Sequence, residues 1–370
     1  MKTVLYSTHR EPPEAIERAL ALRLVVGILL SAPTLLGLSE RPALAQTPTI
    51  NVGLASTSSD IGFFIADKRG YFRDVGLSIN MTNFSSAAQM IAPLSAGQLD
   101  VGGGTVAAGL YNAVGEGIAL KIVADKASIR PHYDFSTLLV RKDLIDSGAY
   151  RDFKDLKGMT VAVAAPGSGS ESAMNEALKR DGLTIKDVRV TYLGYPDHLI
   201  AYHNKAIDAS ITAEPTVTRA IKENVAARVM PGDEVVYPNQ QTAVVLFSDS
   251  FIARRDEAER FMTAYLRAVR DYVSTLRDGK IAGPGAEEMI AILTQYTGIK
   301  DPAIYREMTS HWVDPDGHVS RPALENDLEF FREQGYVRAE NKVGVDQVID
   351  ESFAQAAVKK LGSYQPQAAQ

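Results

Sequence analysis

The 370-residue sequence has no cysteine, which removes disulfides, thiolate nucleophiles, iron–sulfur clusters and Cys-based zinc sites together. Basic charge is not in excess either: 39 Lys and Arg stand against 45 Asp and Glu, a net charge of −6, and neither nucleic acid nor an anionic membrane is an expected partner. Histidine is sparse. Of the six, His198 and His203 lie five apart, about 140° around a helix, so they cannot clamp one metal from one face. No metal and no cofactor is expected. No G-x-S-x-G elbow occurs, because Ser168 follows Pro166-Gly167 in a G-S-G-S run. There is no internal repeat at a period of 20 to 50 residues.

Past residue 45 no segment approaches 18 consecutive apolar residues. The first 45 read as an export leader: an apolar run from Ala19 to Leu38, broken by Arg23, Pro33 and Gly37, ends in Ala43-Leu44-Ala45, and cleavage is expected before Gln46. Glu11, Glu14 and Glu17 are unusual in a leader tip, which leaves a start further downstream open. A lipid anchor would need a cysteine. A soluble, unlipidated, periplasmic protein follows as the expectation.

What is present is ordinary for a globular chain, with 45% hydrophobic and 23% charged residues and enough length for two cores. From Thr49 the pattern alternates strand and helix. Ile50, Val52 and Leu54 alternate; Leu77 to Met81, Val101 to Gly103 and Leu120 to Ala124 follow with helices between them. A second set comprises Thr160 to Ala164, a helix from Gly169 to Arg180, Val188 to Tyr192 and Ala209 to Thr212. Such alternation predicts an α/β fold of two mainly parallel sheets flanked by helices. Phe135 to Val140 and Ala243 to Phe247 are read as crossover strands that form a hinge. The domain reading is leader 1–45, a discontinuous first lobe of 46–140 and 241–370 with a helical C-terminal part, and an inserted second lobe of 141–240. Asp256-x-x-Glu259 is read as the cap of the helix that follows it, and Ser86-x-x-Gln89 and Ser168-x-x-Glu171 as capping boxes.

Four strand-to-helix turns carry small hydroxyl or glycine residues: Ser56-Thr57-Ser58-Ser59, Ser85-Ser86, Gly102-Gly103-Gly104-Thr105 and Pro166 to Ser170. In a parallel sheet such turns converge on one crevice, where free N–H groups, hydroxyls and positive helix ends suit an anion. Taken singly, each reads as a plain helix cap before it reads as a ligand contact, and four at the same edge of two sheets shift that balance. Gly102-x-Gly104-x-x-Ala107, with Asp125 some 20 residues on, imitates a dinucleotide fingerprint but falls on the third strand. His132 precedes a crossover strand and is a candidate for the cleft. Glu214 ends a buried strand, where a carboxylate caps, pairs or binds. Phe84 and Tyr195, in turns, are contact candidates.

The stretch Ile61 to Phe72 with its closing Gly70-Tyr71-Phe72, together with Leu94 to Gly102, Asp155 to Ala162 and Ala206 to Ala209 followed by Glu214-Pro215, resembles the periplasmic substrate-binding proteins of nitrate, taurine and aliphatic-sulfonate ABC importers, related to those for the pyrimidine precursor of thiamine. The resemblance implies a two-lobed periplasmic binding protein fold of type II. It implies a non-enzymatic monomer that closes on a small-molecule ligand and delivers it to a permease with its ATPase subunit. Carried over, the contacts are Ser58 or Ser59, Phe63, Ser85, Gly104, Thr105, Ser168, Ser170 and Glu214. Phe84 departs from the Gly-rich turn frequent there and suggests a ligand with a flat or apolar body, so a small organic anion, sulfonate or carboxylate, is expected. Glu214 argues for an amino group, as on a pyrimidine. A related enzyme of pyrimidine-precursor synthesis would need the cysteine this chain lacks.

Overall fold

The computed structural model describes residues 47–230, 234 and 236–366; the leader expected at 1–45 lies outside the described residues. Ten strands build two five-stranded sheets. The first contains β1 (Thr49–Leu54), β2 (Ser78–Asn83), β3 (Val101–Gly104), β4 (Lys121–Ala127) and, from far along the chain, β10 (Ala243–Phe247), in the order β2-β1-β3-β10-β4. The second contains β5 (Ser136–Arg141), β6 (Thr160–Val163), β7 (Arg189–Tyr192), β8 (Ala209–Ala213) and β9 (Ala226–Arg228), in the order β7-β6-β8-β5-β9.

Within each sheet the βα-linked strands are parallel, as their helical crossovers require. β1 pairs β2 and β3 in parallel, and β6 pairs β7 and β8 likewise. The strands on either side of the crossings run the other way: β10 is antiparallel to β3 and β4, and β5 to β8 and β9. An antiparallel strand starts where its parallel neighbours stop. The first residues of β5 and β10 therefore join the carboxyl ends of the other strands at the junction of the sheets.

Helix Ile61–Lys68 and the 20-residue helix Arg255–Ser274 pack together on the first sheet, Phe63 lying 5.1 Å from Tyr265 between ring centroids. The long helix is amphipathic, with Phe261, Tyr265, Ala268, Val269 and Tyr272 buried. Its N-cap is Arg254 rather than a residue of the Asp256 box; Asp256 sits inside the first turn and pairs with Arg260 at 2.8 Å. Gln89 likewise accepts from Ser85 N and not from Ser86. A further departure from the alternating pattern is the segment after Thr309. It crosses the junction and continues into helix Arg321–Glu333, which touches both helix Gly169–Lys179 and, through Phe331 and Tyr111, helix Ala108–Gly115.

The three glycines of β3 are explained by packing. A Cβ on Gly102 would meet Leu94 at 2.9 Å, on Gly103 Phe63 at 2.6 Å and Lys126 at 2.8 Å, and on Gly104 Ala87 at 2.6 Å. They admit side chains from both faces, which accounts for the fingerprint-like spacing without a dinucleotide.

Candidate functional site

A small pocket of about 360 Å³, its mouth included, lies where the two sheets' carboxyl edges face each other. Ala55, Thr57 and Ser59 come from the turn after β1, Gly104 and Thr105 from the end of β3, and Gln240, Thr242 and Ala243 from the start of β10. The opposite wall is Phe135 and Ser136 at the start of β5, Gly169 and Ser170 opening the helix after β6, Tyr195 opening the helix after β7, and Ala213 ending β8. No Asp, Glu, Lys, Arg or His is in this lining.

The two walls are close. Gly169 N donates to Val106 O at 3.0 Å, Ala108 N to Gly167 O at 2.8 Å, Ser58 N to Glu214 O at 3.0 Å, and Gln240 Nε2 to Gly169 O at 2.9 Å. Gly169 is required there, because a Cβ would stand 2.7 Å from Thr105 Cγ2 across the cleft.

The hydroxyls are individually anchored. Ser170 Oγ accepts from Ala164 N at 3.0 Å and lies 2.9 Å from Ser168 Oγ, which itself donates to Ala165 O at 2.7 Å. Thr242 Oγ1 donates to Ala127 O at 2.9 Å. Burial pushes the Tyr195 phenol up, with the neighbouring Thr105 and Ser170 hydroxyls opposing it, so the group remains a neutral donor and acceptor at ordinary pH. Thr57 Oγ1 and Ser59 Oγ are 2.8 Å apart, and Lys126 Nζ, fully buried behind them, donates to Ser59 Oγ at 2.6 Å while pairing with Asp60 Oδ1 at 2.9 Å.

Of the residues singled out from the sequence, Ser59, Gly104, Thr105, Ser170 and Tyr195 are brought together in the lining. Ser58 is buried beside it and engages Glu214 through its backbone. Phe63 points into the core against Tyr265 and Phe261. Phe84 is half-buried and packs against the hydrophobic core rather than in the pocket lining, and Ser85 is exposed, its carbonyl facing Gly194 across the cleft. His132 is exposed, in a left-handed backbone conformation, and sits 3.2 Å from Asp278. Ser168 occupies the N-cap position without capping through its side chain, and Glu171 Oε2 accepts from Gly167 N instead, so the expected capping box is absent. Glu214 is committed elsewhere: it accepts from Thr218 N and Oγ1 at 2.9 Å each, from Thr309 N at 3.2 Å, and lies 3.4 Å from Arg228. Its carboxylate is therefore not available to a ligand amino group, and burial raises its pKa. The aromatic surface of the pocket comes from Phe135 and Tyr195.

Residues 58–275, more than half of the chain, match the family model described as NMT1/THI5 like. No curated protein matches. Among solved structures, the periplasmic nitrate-binding protein of Synechocystis is similar at a TM-score of 0.68 and 14% identity, covering 86% of this chain and 90% of that one. The ligand-binding component of an ABC-type import system from Staphylococcus aureus, with zinc bound, gives 0.67 and 12%, covering 84% and 99%. The periplasmic aliphatic sulphonate binding protein of Escherichia coli gives 0.60 and 19%, covering 87% and 94%. At these identities the likeness is one of fold, that of the periplasmic binding proteins. Among the described residues no group of three or more His, Asp or Glu is placed to hold a metal ion, and no helix is long and apolar enough to cross a membrane.

Proposed function

Since the chain belongs to the NMT1/THI5-like family and folds as a periplasmic binding protein, we propose that it is the extracytoplasmic solute-binding component of an ABC importer, capturing a small organic anion between two lobes and handing it to a permease. The observation that carries this reading is the lining itself: hydroxyls and an amide from both walls converge, with no acidic side chain among them. Helices Gly169–Lys179 and Tyr195–His203 direct their N-termini at the same space, where partial positive charge favours an acceptor. The volume suits a ligand of few atoms. The boundary expected at 140 moves towards the N-terminus, because β5 (Ser136–Arg141) pairs within the second sheet; the lobes are read as 46–135 with 241–370 and as 136–240, and the small-x-small stretch ending at Ala45 supports export before Gln46.

The test is a thermal-shift panel on the purified protein, confirmed by calorimetry. It includes ethanesulfonate, taurine, benzoate and nitrate alongside the hydroxymethyl-aminopyrimidine precursor of thiamine and simple alkylamines. A ligand that binds the folded form raises the melting temperature as RT ln(1 + [L]/Kd). At least one sulfonate or carboxylate is expected to shift it. A shift by the pyrimidine or an amine alone would replace the anion reading.

A further inference from the structure

We infer that Phe135 is the residue that selects ligands by size: its ring is an unyielding apolar wall that requires an organic body on the anion and restricts that body to a short chain. The inference deepens the anion reading above and rests on it.

The requirement for a body follows from the composition of the lining. Phe135, Tyr195, Ala213 and Ala243 line the pocket and also belong to one apolar cluster, whose remaining members are Ala127, Ile129 and Ala164. Four of its seven members are alanine, so the two rings supply most of its surface. A bare inorganic anion would satisfy polar groups of the lining and leave this apolar surface facing water. An alkyl group covers it, and removing both apolar surfaces from water is favourable.

The restriction on length follows from what stands behind the ring. Only Phe135, Tyr195 and Gln240 in the lining have side chains larger than threonine. Gln240 Nε2 is committed to Gly169 O at 2.9 Å, and the Tyr195 phenol lies beside the Thr105 and Ser170 hydroxyls. Phe135 is the large side chain held by packing alone. A wall selects by size only if it does not yield. Outside the lining, His311 meets the Phe135 ring with centroids 5.3 Å apart, and is itself stacked on Tyr272 at 4.7 Å with 20° between the planes. The Tyr272 hydroxyl donates to His311 O at 3.1 Å, which fixes that stack. Phe135, His311 and Tyr272 are 3%, 1% and 1% exposed, and a row packed at interior density leaves the ring little room to retreat. The main chain at Phe135 is held independently of the ring, since Glu214 N donates to Phe135 O at 2.8 Å. Truncating the side chain therefore enlarges the pocket without removing the bond that ties this residue to the end of β8.

The probes are the n-alkanesulfonates from methane- to hexanesulfonate and the n-alkanoates from acetate to hexanoate, with sulfate and nitrate as anions lacking a body, all measured by calorimetry. In at least one series the parent is expected to bind a short member best and the six-carbon member about tenfold or more weakly, the scale on which single methylenes are discriminated in an apolar pocket. Phe135→Ala is expected to move the optimum to a chain longer by about two carbons or more, and Phe135→Leu by about one. A merely structural role would weaken every member of a series by the same factor and leave the optimum in place, and that result overturns the inference. So does a parent affinity that keeps rising to the six-carbon member, or sulfate or nitrate bound as tightly as the best organic anion. If Phe135→Ala does not fold, Phe135→Leu decides by the same criterion. A parent that binds no anion of the panel rejects the anion reading and this inference with it. That is a different result from a parent that binds a short organic anion and variants whose optimum does not move, which rejects the role of Phe135 alone.

Discussion

At the scale of single residues, Ser168 and Ser170 look interchangeable in the sequence and are not. Both are hydroxyls at the start of one helix, but Ser170 lines the pocket and Ser168 is turned back to Ala165 O. Ser170 Oγ accepts from Ala164 N, and its one hydrogen goes to Ser168 Oγ because the Ser168 hydrogen is on Ala165 O, so Ser170→Ala is expected to leave affinity for an anion within about threefold and to lower stability by about 1 to 3 kcal/mol, the cost of leaving the buried Ala164 N–H unpaired. Ser168→Ala is expected to leave affinity within about threefold and to lower stability by about 1 kcal/mol, the value of its bond to Ala165 O and of its support to Ser170. Calorimetry and melts on the two variants check both outcomes. The hydroxyl turns were legible as a class because four of them follow strands whose carboxyl ends share one edge, although each by itself reads as a helix cap. Which hydroxyl faces inward was not, since that depends on side-chain rotation about one turn. Glu214 shows the same limit: a carboxylate ending a buried strand announces a partner, but not that the partners would be Thr218, Thr309 and Arg228. Lys126 gave one signal, a charge near the end of the apolar run Ile122 to Ala124, and its use became visible only with Asp60 beside it.

At the scale of elements, hydrophobic periodicity located the parallel strands to within a residue or two, because βα alternation leaves each strand a short apolar run. The walls supplied by Phe135-Ser136 and Gln240 to Ala243 were missed for a topological reason: β5 and β10 run antiparallel, so their beginnings, not their ends, reach the cleft. The turn of Gly169 against Thr105 makes a separable prediction. Alanine is well tolerated inside a helix, so Gly169→Ala should leave the second sheet's own packing intact, yet its methyl would lie 2.7 Å from Thr105 Cγ2 across the cleft. The variant is expected to keep its melting temperature within a few degrees without ligand and to bind at least tenfold more weakly, by calorimetry. Asp327, on helix Arg321–Glu333, gives a pH prediction. Burial raises its pKa to about 8, reinforced by Glu176 and opposed by the Ser172 hydroxyl. An unfolded aspartate ionises near 4, so between about pH 4 and pH 8 the folded chain holds a proton that the unfolded chain has lost. Stability then falls as pH rises through that window, by at most about 1.4 kcal/mol per unit, and levels off above it. Asp327→Asn removes this contribution. Melts from pH 5 to pH 9 are expected to show the variant gaining on the parent steadily up to about pH 8, and a constant difference across that range would refute the protonated form.

At the scale of the whole molecule, the two sheets are joined where β4 hands over to β5 and where β9 hands over to β10, and they also meet through the late segment. Tyr336 Oη donates to Glu171 Oε1 at 2.9 Å and lies 3.2 Å from Tyr192 Oη, while helix Arg321–Glu333 rests on helix Gly169–Lys179. Rotation about two chain crossings is a hinge motion, and a hinge needs bonds that break at low cost on the far side. The cross-cleft contacts qualify: a few backbone bonds around Gly167 and Gly169, and phenol–carboxylate bonds at the edge where Tyr192 is 42% exposed and water can replace them. The polar lining adds a driving force. Hydroxyls from both walls lose water when the walls meet, and a ligand that accepts from both restores their bonds, so it binds the shut form better and shifts the balance toward it. Small-angle scattering is therefore expected to show a smaller radius of gyration on adding a binding anion. Tyr192→Phe/Tyr336→Phe is expected to enlarge the radius of the free protein while retaining compaction at higher ligand concentration. An identical scattering profile with and without saturating ligand would mean that the lobes are held shut by the late segment alone, and that ligand enters without a hinge.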